Sequence, residues 1–356
     1  MPTLPDNRAK PCEAPMPFCR WLLWSSALLW SGAWSLTYAA QLEQGSITLA
    51  VGGQGLFYYL PVTIAQQRGY FAAEGLDLEI VDFPGGAKSL QAVIGGSAEF
   101  AAGSFEHVLR MQAKGQPLRA ITLLARYPAM VLALATPAFA RYHTATDLRG
   151  MKIGVTAPGS STHLFLNLLL ARHGLPPDAV AVIGVGASSG AMAALRHGDI
   201  DGLVHLDPVI SQLEASGDIR AIVDTRTPAG AREVYGGTYH AACLYAKADF
   251  LASHPLTTQA LVNAQVRALR WLVHATPTQI VDTMPPAYWG GDRAAYQAAL
   301  VKNLAIVSPD GVLDDAGAQH VLAALTASDP ALRAAPPTVA LAIDNSFVAR
   351  VAPVQP

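Results

Sequence analysis

The sequence predicts an α/β protein of two similar lobes, each built on a sheet of parallel type with helices against it. Three observations predict this. Short apolar runs of strand type alternate with stretches of helical spacing through residues 46–104, the pattern of a sheet with crossover helices. The alternation restarts at residue 151. Finally, "GGSAEFAAGSF" (95–105) and "HGDIDGLVHLD" (197–207) share an order: a helix-ending glycine, an acid, then a buried strand. Sliding one on the other places Gly96 on Gly198, Glu99 on Asp201 and Phe105 on Asp207.

Taken in order, "SITLAVGG" (46–53) is a strand running into glycines. "LPVTIAQQRGYFAAEGL" (60–76) reads as one helix, with Val62, Ile64 and Ala65 on a shared face. "DLEIVDF" (77–83) alternates as a strand, "AKSLQAVIGG" (87–96) is a helix stopped by glycine, and "AEFAAGS" (98–104) is a short strand. The segment 119–135 carries two apolar runs around Arg126-Tyr127-Pro128 and reads as a crossover between lobes. From residue 151 the order is strand, turn, helix, then a strand at 179–186, a helix at 188–198 and a strand at 199–208. "REVYGGTYHAACLYA" (232–246) reads as the return. Helices are expected at 256–275, 294–307 and 316–328, and the Pro- and Ala-rich tail after Pro330 is expected to wrap a surface.

The first forty residues do not read as part of the fold. Arg8, Lys10 and Arg20 precede the apolar run "WLLWSSALLWSGAW" (21–34), followed by small residues suited to cleavage after Ala39 or Ala40. This is the layout of a secretory signal peptide. The run is shorter than the roughly 20 residues a membrane span needs. The expected organisation is then a leader over 1–40, the first part of lobe 1 over 41–130, lobe 2 over 131–235, and a return to lobe 1 with C-terminal helices over 236–356. Beyond the leader only Cys243 remains, so no disulfide within the exported chain is expected. The chain of 356 residues is 51% apolar and 14% charged, enough for large cores. Its formal net charge of −2, without a basic patch, argues against nucleic acid as a partner.

In an open α/β sheet, ligands sit outside the carboxyl ends of the strands. The loops there are "GGQGLFYY" (52–59), "AGSFEH" (102–107), "APGSSTH" (157–163), "GVGASSG" (184–190) and "HLDP" (205–208). They are rich in glycine and serine and lead into helices whose N-termini carry free N–H groups and partial positive charge. Candidate ligand contacts are Gln54, Gly55, Ser104, Gly159, Ser160, Ser161, Ser188 and Asp207, with Phe57, Tyr58 and Phe105 as apolar walls. A lone serine at a helix start is more often a cap than a ligand contact, but the same turn type recurs at corresponding strand ends. The aromatics serve equally well as core, and Asp207 equally well as a turn cap.

Catalytic patterns are poor. Cys243 lies in an apolar strand and reads as an inert thiol. His205 and Asp207 share a strand face without a nucleophile beside them, and His107 and His163 lie in helices near the same loops. The ten histidines show no metal-ligand spacing, and "GGQG" is not a dinucleotide fingerprint. No catalytic residue, cofactor or metal is expected.

Several stretches together carry a family likeness: "FYYLPVTIAQQRGYFAAEGLDLEIVDFPGG", "DLRGMKIGVTAPGSSTHLFLNLLLARHGL", "GVGASSGAMAALRHGDIDGLVHLDPVI" and "GGTYHAACLYA". The chain resembles, over roughly residues 46–275, the periplasmic substrate-binding proteins of the nitrate, sulfonate and taurine ABC importers. That domain type is shared with the yeast thiamine-pyrimidine enzymes. The resemblance implies the type II periplasmic binding protein fold, two lobes joined by two crossing segments that close on a ligand. It places Gln54, Gly55, Phe57, Ser104, Gly159, Ser160, Ser161 and the loop at Asp207 around the cleft. It implies a periplasmic monomer that captures a small organic anion (sulfonate, taurine-like, nitrate-like or aromatic acid) and delivers it to a membrane permease with its ATPase. His240 stands where relatives carry proline after "GG-x-Y", and Arg126 lies within reach of the cleft from its crossover. The cysteine-rich motif of the pyrimidine enzymes and the first-loop cysteine of desulfinases are both missing, which weakens the alternative of an enzyme on the same fold. A ligand-sensing partner domain is the other alternative.

Overall fold

The computed structural model describes residues 41–352, and the expected leader lies outside the described residues. The chain begins with β1 (Ser46–Val51), α1 (Leu60–Gln67), α2 (Tyr70–Ala73), β2 (Asp77–Asp82), α3 (Gly86–Gly95), β3 (Phe100–Ser104), α4 (Phe105–Ala113) and β4 (Leu118–Leu123). A second set follows: β5 (Val131–Ala135), α5 (Thr136–Phe139), β6 (Lys152–Val155), α6 (Ser161–Arg172), β7 (Ala181–Gly184), α7 (Ser189–Arg196), β8 (Gly202–His205), α8 (Val209–Ala215), β9 (Ile219–Asp224) and α9 (Pro228–Tyr235). The chain then returns through β10 (Ala242–Lys247) to α10 (Ala248–Ser253), α11 (Pro255–His274), α12 (Pro277–Thr283), α13 (Arg293–Asn303) and α14 (Asp315–Ser328).

These elements form two five-stranded sheets, ordered β2-β1-β3-β10-β4 and β7-β6-β8-β5-β9. In each sheet the three strands β2-β1-β3 or β7-β6-β8 pair in parallel. The sheets are nevertheless mixed, which refines the expectation of wholly parallel sheets. β10 and β5, the strands that arrive from the other lobe, pair antiparallel with both neighbours. The reason is directional. β4 leaves its sheet at the carboxyl end, so the chain enters the second sheet from the cleft side and must run backwards. The two crossing segments bond to each other, Tyr239 N–H to the Arg126 carbonyl at 3.0 Å and Ala241 N–H to the Ala125 carbonyl at 2.9 Å.

The internal likeness read from sequence is met in register. Leu49 pairs with Phe100 as Ile153 pairs with Gly202. Glu99 accepts the Thr48 N–H at 2.7 Å, and Asp201 accepts the Lys152 N–H at 2.9 Å. Both acids thus pin the foot of the neighbouring strand. The single helix expected over 60–76 is instead α1 and α2, broken at Gly69, whose φ of +67° lies in the left-handed region. One large core joins the first sheet, α6 and the C-terminal helices. A smaller one, including Val131, Leu195, Leu203, Ile210 and Leu213, fills the α7–α8 side of the second sheet. The tail forms three short helices, Pro330–Ala334, Val339–Ala342 and Ser346–Ala349, and Ile343 makes a bridge to Ala120 of β4.

Candidate functional site

The strand ends of the two lobes face each other and touch directly. In the first loop, the N–H groups of Gly53 and Gln54 donate to the Asp82 carboxylate at 3.0 and 2.7 Å. These two donors are thus filled by the lobe's own acid. The Gln54 side chain donates to Gln66 Oε1 at 2.8 Å. Gly55 lines a cavity of about 240 Å³ at the lobe boundary with Asp82, Ser188, Ser189, Gln212 and Tyr288. Phe57 is buried edge-on against Tyr296 of α13, 4.9 Å between centroids, while its N–H donates to the Asp207 carbonyl across the boundary at 3.1 Å. Its ring therefore packs in the core.

The N-termini of α3 and α6 meet head to head. Ser160 Oγ accepts the Ala87 N–H at 2.9 Å, so a lobe 2 hydroxyl sits on the first turn of a lobe 1 helix. An added Cβ at Gly85 would lie 3.0 Å from Ser160 Oγ and 3.1 Å from Thr156 Oγ1, so glycine allows this approach without the facing side chains giving way. Gly159, with φ of +85°, donates its N–H to His163 Nδ1 at 2.9 Å and shapes the α6 turn. Ser161 is half-buried at the first position of α6, and Ser188 is exposed before α7. Two helix ends of this length carry positive partial charge toward one point.

Beside that point lies a buried polar cluster that the sequence reading touched only through Tyr58, Ser104 and His107. Glu106, in the first turn of α4, is 2% exposed. Its carboxylate accepts hydrogen bonds from Ser104 Oγ at 3.0 Å and from the Tyr239 hydroxyl. Burial raises its pKa to about 7, against the lowering effect of those two bonds. The hydroxyls of Tyr58 and Tyr235, and both ring nitrogens of His107, are buried without a hydrogen-bond partner. Burial lowers the His107 pKa to about 4, which keeps the ring neutral. The Tyr235 and Tyr239 rings lie 4.0 Å apart between centroids, tilted by 39°, and the His107 ring lies beneath Gly86 at the head of α3. The members come from lobe 1 (Tyr58, Ser104, Glu106, His107), lobe 2 (Tyr235) and a crossing segment (Tyr239).

Other candidates are committed elsewhere. Asp207 accepts from Ser211 N–H at 2.7 Å and from Asn303 Nδ2 at 2.6 Å, and pairs with Arg226 at 3.3 Å. Arg226 also binds Glu214 and Asp224, at 2.7 and 2.6 Å. Both Asp207 oxygens are thus taken by a structural network. His205 bonds to the carbonyls of Gly186 and Leu206, so it forms no relay with Asp207. Phe105 is buried and meets His240 edge-on. His240 lies 3.5 Å from Asp314, under the head of α14. The Arg126 side chain turns to the Ala305 carbonyl and the Tyr127 ring. Cys243 is fully buried, and burial pushes its thiol pKa up. Among the described residues no group of three or more His, Cys, Asp or Glu is arranged to hold a metal ion.

Two mixed sheets of matching order, two crossing segments and strand ends that face each other define a type II periplasmic binding protein fold. Residues 57–280 match the family model described as NMT1/THI5 like, and the chain belongs to that family. A solved structure from Bordetella bronchiseptica RB50 is 48% identical, covers 87% of this chain and 98% of its own, and superposes with a TM-score of 0.85. The alkanesulfonate-binding protein SsuA from Xanthomonas axonopodis pv. citri, solved with MOPS, is 19% identical over 87% of this chain and 99% of its own, with a TM-score of 0.64. At that identity it speaks for the fold. A 4-amino-5-hydroxymethyl-2-methylpyrimidine phosphate synthase from Schizosaccharomyces pombe is 26% identical over 167 residues, 47% of this chain. The match spans 46% of that enzyme's length.

Proposed function

We propose that the protein is the extracytoplasmic solute-binding component of an ABC importer, working in the periplasm. It captures a small organic acid between its lobes and presents the closed form to a membrane permease with its ATPase. The observation that carries this reading is the meeting of the α3 and α6 N-termini across the lobe boundary, with the Ala87 N–H 2.9 Å from Ser160 Oγ. An acid group entering between them replaces that single contact with several N–H and hydroxyl donors from both lobes. It therefore binds the closed form more tightly than the open one, which is what drives closure. The fold shared with the alkanesulfonate-binding protein supports the reading.

A second reading, an enzyme on the same fold, is favoured by one observation: the Ser104 hydroxyl donates to the buried Glu106 carboxylate at 3.0 Å, a hydroxyl beside a base. The two readings separate by experiment. A thermal-shift screen against alkyl and aryl sulfonates, taurine, nitrate, aromatic carboxylates and aminopyrimidines should find a ligand. At 100 times its Kd it stabilises by about 2.7 kcal/mol. The Ser160→Ala/Ser161→Ala double variant should lose most of that shift, and mass spectrometry after long incubation should return the ligand unchanged. A chemically altered ligand would move the protein to the enzyme class.

A further inference from the structure

A polar cavity of about 300 Å³ lies on lobe 1, between α11, the end of α2 and the segment that follows the helix Ser346–Ala349. Its polar lining is Glu74, Gln259, Asn263, Arg267, Arg270 and Arg350. Gln259, Asn263, Arg267 and Arg270 follow one another at helical spacing, which sets them on one face of α11. That face is wired along its length. Arg350 Nε donates to Gln259 Oε1 at 2.8 Å, Gln259 Nε2 to Asn263 Oδ1 at 2.9 Å, and Asn263 Nδ2 to Glu74 Oε2 at 2.9 Å. The three guanidiniums are held by neutral groups. Arg267 lies over the Tyr70 ring at 4.3 Å and Arg350 over the Phe347 ring at 4.6 Å, while Arg270 Nη1 donates to the Ala352 carbonyl at 2.6 Å. Among the described residues none of the three has a carboxylate within ion-pair distance. Arg226, which the chain keeps for structure, has three. A guanidinium carries five N–H donors, and among the described residues each of these three uses at most one.

We propose that this cavity is a second binding site, separate from the cleft, for a phosphoryl dianion: inorganic phosphate, a soluble phosphomonoester or the phosphate of an acidic lipid. Charge sets the class. The lining holds three guanidiniums and one carboxylate, a net of two positive charges, which matches a dianion. Shape agrees with charge. Guanidinium N–H pairs bind phosphate oxygens two at a time, and a tetrahedral group presents oxygens to three guanidiniums at once, where a planar carboxylate presents only two oxygens. Side chains already ordered by a ring or an amide lose less freedom when the ligand arrives. Arg267 and Arg350 are exposed and Arg270 is half-buried, so a chain attached to the phosphoryl group extends into solvent. The site also stands apart from lobe closure. Its lining comes from lobe 1 alone, and Glu74 lies just before β2 begins, at the end of the parallel strands opposite the cleft.

The test pairs calorimetry of the purified full chain at pH 8 and low salt with vesicle sedimentation. The soluble probes are inorganic phosphate and glycerol 3-phosphate; the vesicles are phosphatidylcholine with and without phosphatidic acid. The Arg267→Gln/Arg350→Gln double variant, at two exposed positions, should weaken binding at least about ten-fold. Glu74→Gln keeps an acceptor for Asn263 and removes the one negative charge of the lining, so it should tighten binding about two-fold. A purely structural role for these residues would give no such gain. Binding of the soluble probes supports the site with a free phosphate as its ligand. Sedimentation that requires phosphatidic acid, without soluble binding, supports it with a lipid phosphate. Binding of neither kind overturns the site. Phosphate binding that both variants leave unchanged also overturns it, because the anion then sits elsewhere, and the solute-binding reading is untouched by either result.

Discussion

The two lobes are one plan executed twice, and they differ most in how each treats the acid at the end of its third strand. β3 ends at Ser104 and runs on through Phe105 to Glu106, and β8 ends at His205 and runs on through Leu206 to Asp207. Both acids are buried. In lobe 2 the acid is locked: Arg226, Asn303 and the Ser211 amide hold Asp207, and Arg226 is shared with Glu214 and Asp224. In lobe 1 the acid meets only hydroxyls. A buried carboxylate matched by a cation is a structural joint. One matched by hydroxyls remains an acceptor with capacity left and a strained protonation equilibrium. The contrast also explains why one lobe needs the C-terminal helices. α13 supplies Asn303 to Asp207 and Tyr296 to Phe57, so it ties lobe 2 to the first loop of lobe 1.

The sharpest way to break the comparison is to remove the locked acid. Asp207→Ala leaves Arg226 with its two other carboxylates but strips the Ser211 amide and Asn303 of their acceptor. Breaking a buried pair by removing one partner costs about 3–5 kcal/mol. The lower end is expected because Arg226 stays paired. Urea unfolding should show a loss near 3 kcal/mol, and Asp207→Asn, which keeps an acceptor for the Ser211 amide, should lose clearly less.

Glu106 should respond in the opposite sense. Its folded pKa of about 7 lies above the ordinary carboxyl value of 4.5, so between those values the folded state holds a proton that the unfolded state has released. Stability from this group is therefore full below pH 4.5 and declines as pH rises to about 7. The neighbouring His107 works against it. Its folded pKa of about 4 lies below 6.5, so its contribution falls as pH drops from 6.5 toward 4. The two slopes oppose each other over the shared range, leaving the chain's stability flatter there than either group alone would make it. Tyr58, Tyr235 and Tyr239, which also face Glu106, stay neutral throughout because burial raises their pKa values. Glu106→Gln should abolish that decline and raise stability at pH 8 by up to about 3 kcal/mol, at 1.36 kcal/mol per pKa unit. A melting profile from pH 4 to 9 for the two proteins checks it, and an unchanged profile would show that another group carries the slope.

The pair of acids at the feet of the strands tests the sameness of the lobes. Glu99 and Asp201 each accept one backbone N–H from the neighbouring strand. Glu99→Ala and Asp201→Ala should each cost about 1 kcal/mol, the net worth of one hydrogen bond with some added charge assistance. Double-substituted protein should lose the sum, since the two sites share no partner.

Much of this was legible beforehand, for identifiable reasons. Alternating strand and helix patterns carry their own period, so both sheets could be placed, and the Gly96–Gly198 and Glu99–Asp201 correspondence held down to individual hydrogen bonds. What was not legible lay in partners distant in sequence. Arg226 is 19 residues from Asp207 and α13 is further still, and nothing local marks them as its ligands. Glu106 stood inside a quoted loop, yet an acid in a helix's first turn reads as an ordinary match to the helix dipole. The signal that was there was the alignment itself: it set Phe105 on Asp207, one residue from the matching acid.

The smallest effect separates closure from folding. Gly52 and Gly85 are both crowded glycines, but their neighbours differ in kind. A Cβ on Gly52 would lie 2.5–2.8 Å from the backbone of Gly85 and Gly86, within its own lobe. A Cβ on Gly85 would lie 3.0–3.1 Å from side-chain atoms of Thr156, Ala157 and Ser160, all in the other lobe. Gly52→Ala should therefore destabilise the fold, because backbone cannot yield cheaply. Gly85→Ala should leave the unfolding free energy of the ligand-free protein within about 0.5 kcal/mol of the original, the range of a substitution that breaks no packing within its lobe. It should instead hold the lobes a few tenths of an ångström apart and weaken ligand affinity several-fold, because the Ala87–Ser160 contact and any acid bound there depend on that approach. Calorimetry with the ligand found by thermal shift reads this directly. Equal loss of stability in both variants would mean that the lobe contact is part of the folded core rather than a surface that opens.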